Sequence, residues 1–280
     1  MSDARVPPLV GAPDAEPEKL RLGGMALRNG LLVHGPGHWA AAVRDRDGEL
    51  RVASGRKPSG AGRATAGIPG LRGVVKLAEA VAVIPLVKRA LPAARLPMQD
   101  ARTLAAMAGA ALVGQLIRSG GARTVAREGA VGLVSVAPTM LALRTGELAA
   151  YHGVEHKAIA AYESDGEAAA ADKEHDRCGS NLVAPMLGAA AVGNVAARRA
   201  GLGGPVVEAA VALASAAVAV EVFAYAERHD GSTASRLLRR PGYELQRVIG
   251  TREPTAEQLE VGHAALAEIL RVEAAETPEA

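Results

Sequence analysis

Residues 205–226 read PVVEAAVALASAAVAVEVFAYA, a run interrupted by charge only at Glu208 and Glu221. As a helix such a run rises about 33 Å at 1.5 Å per residue, enough to cross the roughly 30 Å hydrocarbon core of a bilayer. Working outward from it, residues 104–117, 129–143 and 181–197 carry no Asp, Glu, Lys or Arg. Each of these three runs falls short of the ~20 residues that a span needs, and alanine is only weakly apolar, so each is marginal alone. The competing account is a soluble bundle of buried helices. Four nearly uncharged runs between 104 and 226 exceed what one soluble core needs, which favours the membrane. The fold class expected is mainly α, with about four marginal integral membrane helices and a small β-rich N-terminal unit.

The rest of the chain divides around these runs. Residues 1–19 are polar, acidic and proline-containing, without the apolar stretch of a secretory signal, and read as a disordered leader. In residues 20–54, glycines punctuate short apolar runs, and Asp45-Arg46-Asp47-Gly48 separates two of them like a β-hairpin turn. Residues 69–98 suggest a helix at or in the membrane surface, kinked at Pro85 and ended by Pro92 and Pro97. A helical hairpin over 104–145, a motif segment over 146–180 and a second hairpin over 181–226 follow. Residues 227–280 form a soluble helical tail, in which a short basic helix breaks at Pro241-Gly242 and a terminal helix starts near Thr255. Four spans place the N-terminus, motif segment and C-terminus on one side. Lys88, Arg89, Arg144, Lys157, Arg177, Arg228, Arg236, Arg239 and Arg240 favour the cytoplasm for it.

Composition narrows the partners. The 32 basic and 30 acidic side chains nearly cancel, and one Trp, four Tyr and one Phe are too few for base-stacking platforms, so nucleic acid is not expected. The lipid bilayer is the expected partner, with a homo-oligomer left open. A lone cysteine, Cys178, excludes an intramolecular disulfide framework and suits a reducing compartment.

The chemistry concentrates between 152 and 178. His152 and His156 stand one helical turn apart and can present two imidazoles to one point, with Glu155 at the edge of the same arc. His175 and Cys178 follow, and imidazole with thiolate is a zinc-type donor set. His-x-x-x-His pairs are common without a metal. The concentration of three of seven histidines and the lone cysteine in one short, alanine-rich stretch favours a functional cluster.

Further motifs accompany this one. Gly23-Gly24 with Ala26 and Gly30, His38-Trp39-Ala40 with Ala42-Val43-Arg44, Arg72-Gly73, Tyr151-His152-Gly153 with Glu155-His156-Lys157, Tyr162-Glu163, Arg177-Cys178-Gly179, Leu245-Gln246-Arg247 and Thr251-Arg252-Glu253-Pro254 occur in that order. In this combination, over residues 20–270, the chain resembles the YqhQ-like bacterial family (domain of unknown function 1385). The resemblance implies a membrane-embedded protein labelled a predicted metal-dependent enzyme. Met25 and Asn29 stand where that family tends to have glutamine and glutamate, and Ser180 and Asn181 where it tends to have threonine and phenylalanine. Asn29 is a poor metal ligand and no general base.

His152-x-x-Glu155-His156 has the letter order of the inverted zincins, in which two histidines bind zinc and the glutamate is general base on the bound water. The expected site therefore has Glu155 as catalytic base, His152, His156, His175 and Cys178 as ligands of a divalent metal, zinc first, and Glu221, Glu163 and Arg177 as accessory groups. That is a hydrolase-like metal-dependent enzyme whose substrate stays open. One alternative is a membrane scaffold or regulator with a closed four-ligand structural metal. Another is proton or cation handling through Glu208 and Glu221, for which four thin spans are few unless the chain oligomerises. Trp39 is read as core in preference to an interface anchor, and Thr251-Arg252-Glu253-Pro254 is expected to dock on the motif segment.

Overall fold

The structure is a computed structural model describing residues 19–58, 64–65, 67–68, 70–97, 99–122, 124–144 and 146–276, with residues 72 and 76 described by backbone alone. The expected leader, apart from Lys19, lies outside the described residues. Strands β1 (Gly23–Leu27), β2 (Gly30–His34), β3 (His38–Arg44) and β4 (Leu50–Arg56) form an antiparallel meander in chain order. The β3–β4 turn closes where expected, with Asp45 Oδ1 accepting the Asp47 and Glu49 N–H groups at 3.0 Å each. Alternation along the strands directs Leu31, Val33, Ala40 and Ala42 to one face and Leu32, Trp39, Ala41 and Val43 to the other. Both faces are covered, and Trp39, 3% exposed, is core.

Helix α1 (Leu71–Ala90) closes the Trp39 face with Val83 and Val87 from its last turns. The chain then turns through Leu91 and Ala94, also buried there, into α2 (Ala101–Ser119). Asp100 caps α2 through the Thr103 N–H and pairs with Arg28 of the sheet unit, so α2 starts beside the sheet. Helix α3 (Val125–Arg144) returns antiparallel to it. Buried Glu128 near the start of α3 pairs at 2.8 Å with Arg118 near the end of α2. After α4 (Glu147–Ser164) and a 3-10 turn (Gly179–Leu182), α5 (Val183–Arg199) and α6 (Pro205–Arg228) make the second hairpin. Both hairpins therefore project from the end of the molecule that holds the sheet and α4.

Among the described residues, Val125–Arg144, Gly179–Arg199 and Pro205–Arg228 are long and apolar enough to cross a membrane, and little of each is buried within the chain. These hold three of the four runs. The fourth lies in α2, where Arg102, Thr103, Gln115 and Arg118 dilute a largely alanine helix. Leu112, Leu116, Leu133, Val192, Val206 and Leu213 face outward on the two hairpins. Such a continuous apolar exterior is consistent with a lipid bilayer, where it carries no hydration cost.

The expected break at Pro241-Gly242 does not occur. Helix α7 (Thr233–Leu245) runs through both residues into a π turn (Gln246–Gly250), closed by the Thr251 N–H on Gln246 O at 2.9 Å. Proline at 241 removes one helical donor, a loss that the continuing helix tolerates. Helix α8 (Ala256–Glu276) then lies across the inner sheet face, where Val261, Ala265 and Ile269, fully buried, meet α4 and the sheet. Ile269→Ala should cost about 2–5 kcal/mol through lost burial and the cavity left behind. Thermal unfolding in detergent checks it, and an unchanged midpoint would mean that α8 does not support the sheet.

Candidate metal centre

Helix α4 follows α3 after a turn at Gly146 (φ 91°) and ends at Asp165 in the left-handed region (φ 52°). Its faces are packed almost all round: β1 lies on one, α8 on a second and the segment after the π turn on a third. Gly153 is where that segment docks. A Cβ built there would lie 2.3 Å from Arg252 O, while the Arg252 N–H donates to Ala149 O at 2.9 Å. The Lys157 ammonium, buried, pairs with Glu253 and donates to Ala169 O and Ala171 O. The Thr251-Arg252-Glu253-Pro254 motif thus docks on the motif segment, as the sequence suggests.

His152, His156 and Cys178 converge. One ligand atom from each lies within 4.8 Å of the other two, and His152 Nε2 is 3.3 Å from Cys178 Sγ. Each imidazole is held by a backbone carbonyl: His152 Nδ1 is 2.8 Å from Gly250 O, and His156 Nδ1 is 2.6 Å from Lys173 O. A carbonyl only accepts, so Nδ1 carries a proton in both rings, which leaves each Nε2 as the ring atom available to a cation. His156 Nε2 is buried and has no hydrogen-bond partner. Burial, with His152 beside it, holds the His156 pKa down at about 2, so the ring is neutral. Burial pushes the Cys178 thiol up, against hydrogen bonds from Ser180. Two imidazoles, each held through Nδ1, and a thiol form a donor set that suits a soft or borderline divalent cation.

Glu155 lies beneath β1 rather than among the three donors. A Cβ at Gly24 would come 2.7 Å from Glu155 Cγ, so this glycine makes room for the side chain. Burial pushes the Glu155 carboxyl up to about 7, with Cys178 adding to the rise and His152 and the Ala26 N–H opposing it.

The other expected residues sit nearby or elsewhere. The His175 ring is 5.7 Å from His156 between centroids; its Nδ1 accepts the Arg177 N–H at 3.2 Å and its Nε2 faces Glu163 at 3.4 Å. Glu163 also pairs with Arg177. His175, Glu163 and Arg177 thus make a small network flanking the donor group, outside the three that gather. Glu221 on α6 accepts the Gly70 N–H at the start of α1. Asn29, in the β1–β2 turn, bonds Arg44 O, Ala93 O and the Arg95 N–H, which ties the sheet to the α1–α2 connection.

Sequence reasoning missed the groups that aim the donors. Gln246, fully buried, accepts the His175 N–H at 2.8 Å and donates to His175 O and to Ser180 Oγ. It holds both ends of the 175–180 loop that carries Cys178. A buried glutamine in a polar tail has no local signature, and the Lys173 and Gly250 carbonyls have none at all.

Residues 142–272, from the end of α3 to most of α8, match a family described as "Protein of unknown function (DUF1385)". This segment, a little under half of the chain, is what resembles the DUF1385 family. The match takes in every donor, Glu155 and Gln246, so the candidate centre lies wholly within the DUF1385 segment. No curated protein and no solved structure matches the chain.

Gln246→Ala should loosen the 175–180 loop and carry Cys178 away from His152. Reaction of Cys178 with a water-soluble maleimide in the purified protein should then be faster than in wild type. Equal rates would mean that the loop is held without Gln246.

Proposed function

We propose that this protein is a membrane-associated, metal-dependent hydrolase whose cation, zinc first, is held by His152, His156 and Cys178. The observation that carries the reading is His156 Nε2, buried and without a hydrogen-bond partner, on a ring that gathers with His152 and Cys178 within 4.8 Å. An unpaired buried acceptor costs about 1–3 kcal/mol, which a cation would offset. Three donors leave one position of a tetrahedral ion open, as in catalytic and unlike closed structural sites. A cation bound there would supply Lewis-acid polarisation and a water of lowered pKa.

The protein's own groups do the remainder. The Gly250 and Lys173 carbonyls hold the imidazoles in the tautomer that binds, as outer-shell partners of metal-ligating histidines do. Glu155, one turn from His152, takes a proton from the attacking water and returns it to the leaving group. A carboxyl near neutral pKa suits both directions of that transfer. Glu163, His175 and Arg177 flank the centre as a charged network that can orient a polar substrate group. The sheet, the centre and the tail gather at one end of both hairpins, which supports a multi-pass arrangement with all of them on one side. Arg144, Lys157, Arg228 and Arg240 near that end favour the cytoplasmic side.

Elemental mass spectrometry of the detergent-purified protein tests this. About one zinc per chain is expected in wild type and in Glu155→Gln, and far less in His152→Ala and His156→Ala. Hydrolytic activity should fall by ~10²–10⁴-fold in Glu155→Gln, the range for loss of a general base. Wild-type protein that binds no divalent metal even after reconstitution would sink the reading. Metal with full activity in Glu155→Gln would remove Glu155 as the base.

A further inference from the structure

His152 has two neighbourhoods. Its Nε2 faces Cys178, and its ring also lines a cavity of about 380 Å³ whose other walls are mostly apolar side chains of α3 and α5, among them Val136, Met140, Val183 and Leu187. Met140, Val183, Leu187 and Leu245 are walls of a second, larger cavity as well, of about 860 Å³, which continues along α3 and α5 to Gly109 and Val113 of α2. Two apolar chambers thus lie in series between α3 and α5, which belong to the segments Val125–Arg144 and Gly179–Arg199, both long and apolar enough to cross a membrane, and the inner one reaches the candidate metal centre.

Most of the few uncharged polar side chains in these walls are engaged, Thr139 being the exception among the described residues. Ser135 donates to Gly132 O, and Ser180 donates to Gly242 O and accepts from Gln246. An occupant would find almost no hydrogen-bonding partner until it reached His152. A peptide would have to bury backbone N–H and C=O groups there unpaired, at several kcal/mol each. A polymethylene chain has no such groups.

A positive charge stands beside the chambers. Arg144, exposed at the end of α3, lines the outer chamber and also a separate dimple of about 300 Å³ with Arg252. Neither arginine forms an ion pair with a described residue. Guanidinium groups in pairs are suited to phosphate or carboxylate oxygens.

We infer that the substrate of the centre is an anionic lipid, whose acyl chain lies in the two chambers between α3 and α5 and whose headgroup meets Arg144 and Arg252. The inference rests on the hydrolase reading above. It places the ester carbonyl at the inner end, beside His152. Hydrolysis there forms a bond from the water oxygen to the acyl carbon and breaks the acyl carbon–alkoxide oxygen bond. The proton that Glu155 takes from water goes to the departing alkoxide.

The test uses the full chain in nanodiscs containing phosphatidylcholine with a trace of phosphatidylglycerol that carries a diazirine at the end of one acyl chain. Photolysis should label peptides of α2 and α3 around Gly109, Val113 and Met140, which wall the outer chamber. Two chamber-filling variants, Leu187→Trp and Val183→Phe, should lower that labelling several-fold with zinc content and melting curve unchanged. Exposed Arg144→Glu should weaken labelling by phosphatidylglycerol but not by a phosphatidylcholine probe. Labelling confined to the outer surface of α6, or unaltered in both filled variants, would overturn the lipid. So would chamber labelling that an excess of apolar transmembrane peptide displaces and unlabelled phosphatidylglycerol does not. Bound zinc without chamber labelling would remove the lipid and leave the hydrolase reading standing. Labelling without any bound metal would remove the hydrolase reading, and the lipid as its substrate with it.

Discussion

Helix α4 has backbone pressed against it from several directions, and the candidate centre depends on that crowding. Gly153 admits the Arg252 carbonyl, Gly24 admits the Glu155 side chain, and Gly262 of α8 receives Val154. With side chains at those contacts, the sheet, the last helix and the segment after the π turn would stand farther off. The Gly250 and Lys173 carbonyls would then no longer reach the imidazoles, and a carbonyl out of hydrogen-bond range does not choose a tautomer. Small residues where backbones approach are thus what convert two histidines on a helix into two donors that share a common point.

That convergence carries a cost the chain does not itself offset. A buried His156 held neutral, a partly buried thiol whose pKa is pushed up and a carboxyl held near 7 stand close together in space. Desolvation raises the free energy of every charged form in such a place. A divalent ion changes the balance, because it favours the thiolate and neutral imidazoles as ligands. Gln246 belongs to the same economy of position: it touches no donor atom, yet it spans the loop that brings Cys178 in, and the π turn that starts at it delivers Gly250. Irregular helical turns often occur where function requires a backbone group to be redirected.

The hairpins answer a different constraint. Their outward side chains are apolar while their few charges are paired or lie near the ends, as with Arg118 and Glu128. The Arg118–Glu128 pair sits at the far end of its hairpin from α4. The charged far end and the polar near end bracket a stretch of helix that matches a bilayer's thickness. Between the hairpins the same apolar character turns inward and leaves the chambers that open toward His152.

Much of this was legible in the residues alone. The uncharged runs marked the hairpins, the punctuated stretch from 20 to 54 marked the sheet with its Asp45–Gly48 turn, and His152, His156 and Cys178 were recognisable as donors by type and spacing. These features are local: hydropathy, a four-residue repeat and turn chemistry are properties of neighbouring residues. The sequence overestimated Pro241-Gly242 as a break, since a proline removes only one helical bond and the surrounding packing sustains the rest. It could not say that His175 would turn to Glu163 and Arg177, that Glu155 would sit under β1, or that a glutamine and two carbonyls would aim the site. Those depend on which distant backbones meet, and a carbonyl 98 residues away from the histidine it holds leaves no mark on the local pattern. The sequence by itself determined the helical class, the sheet and the donor types; only the tertiary structure decided which donors converge, because convergence is set by packing between segments that local propensity does not couple.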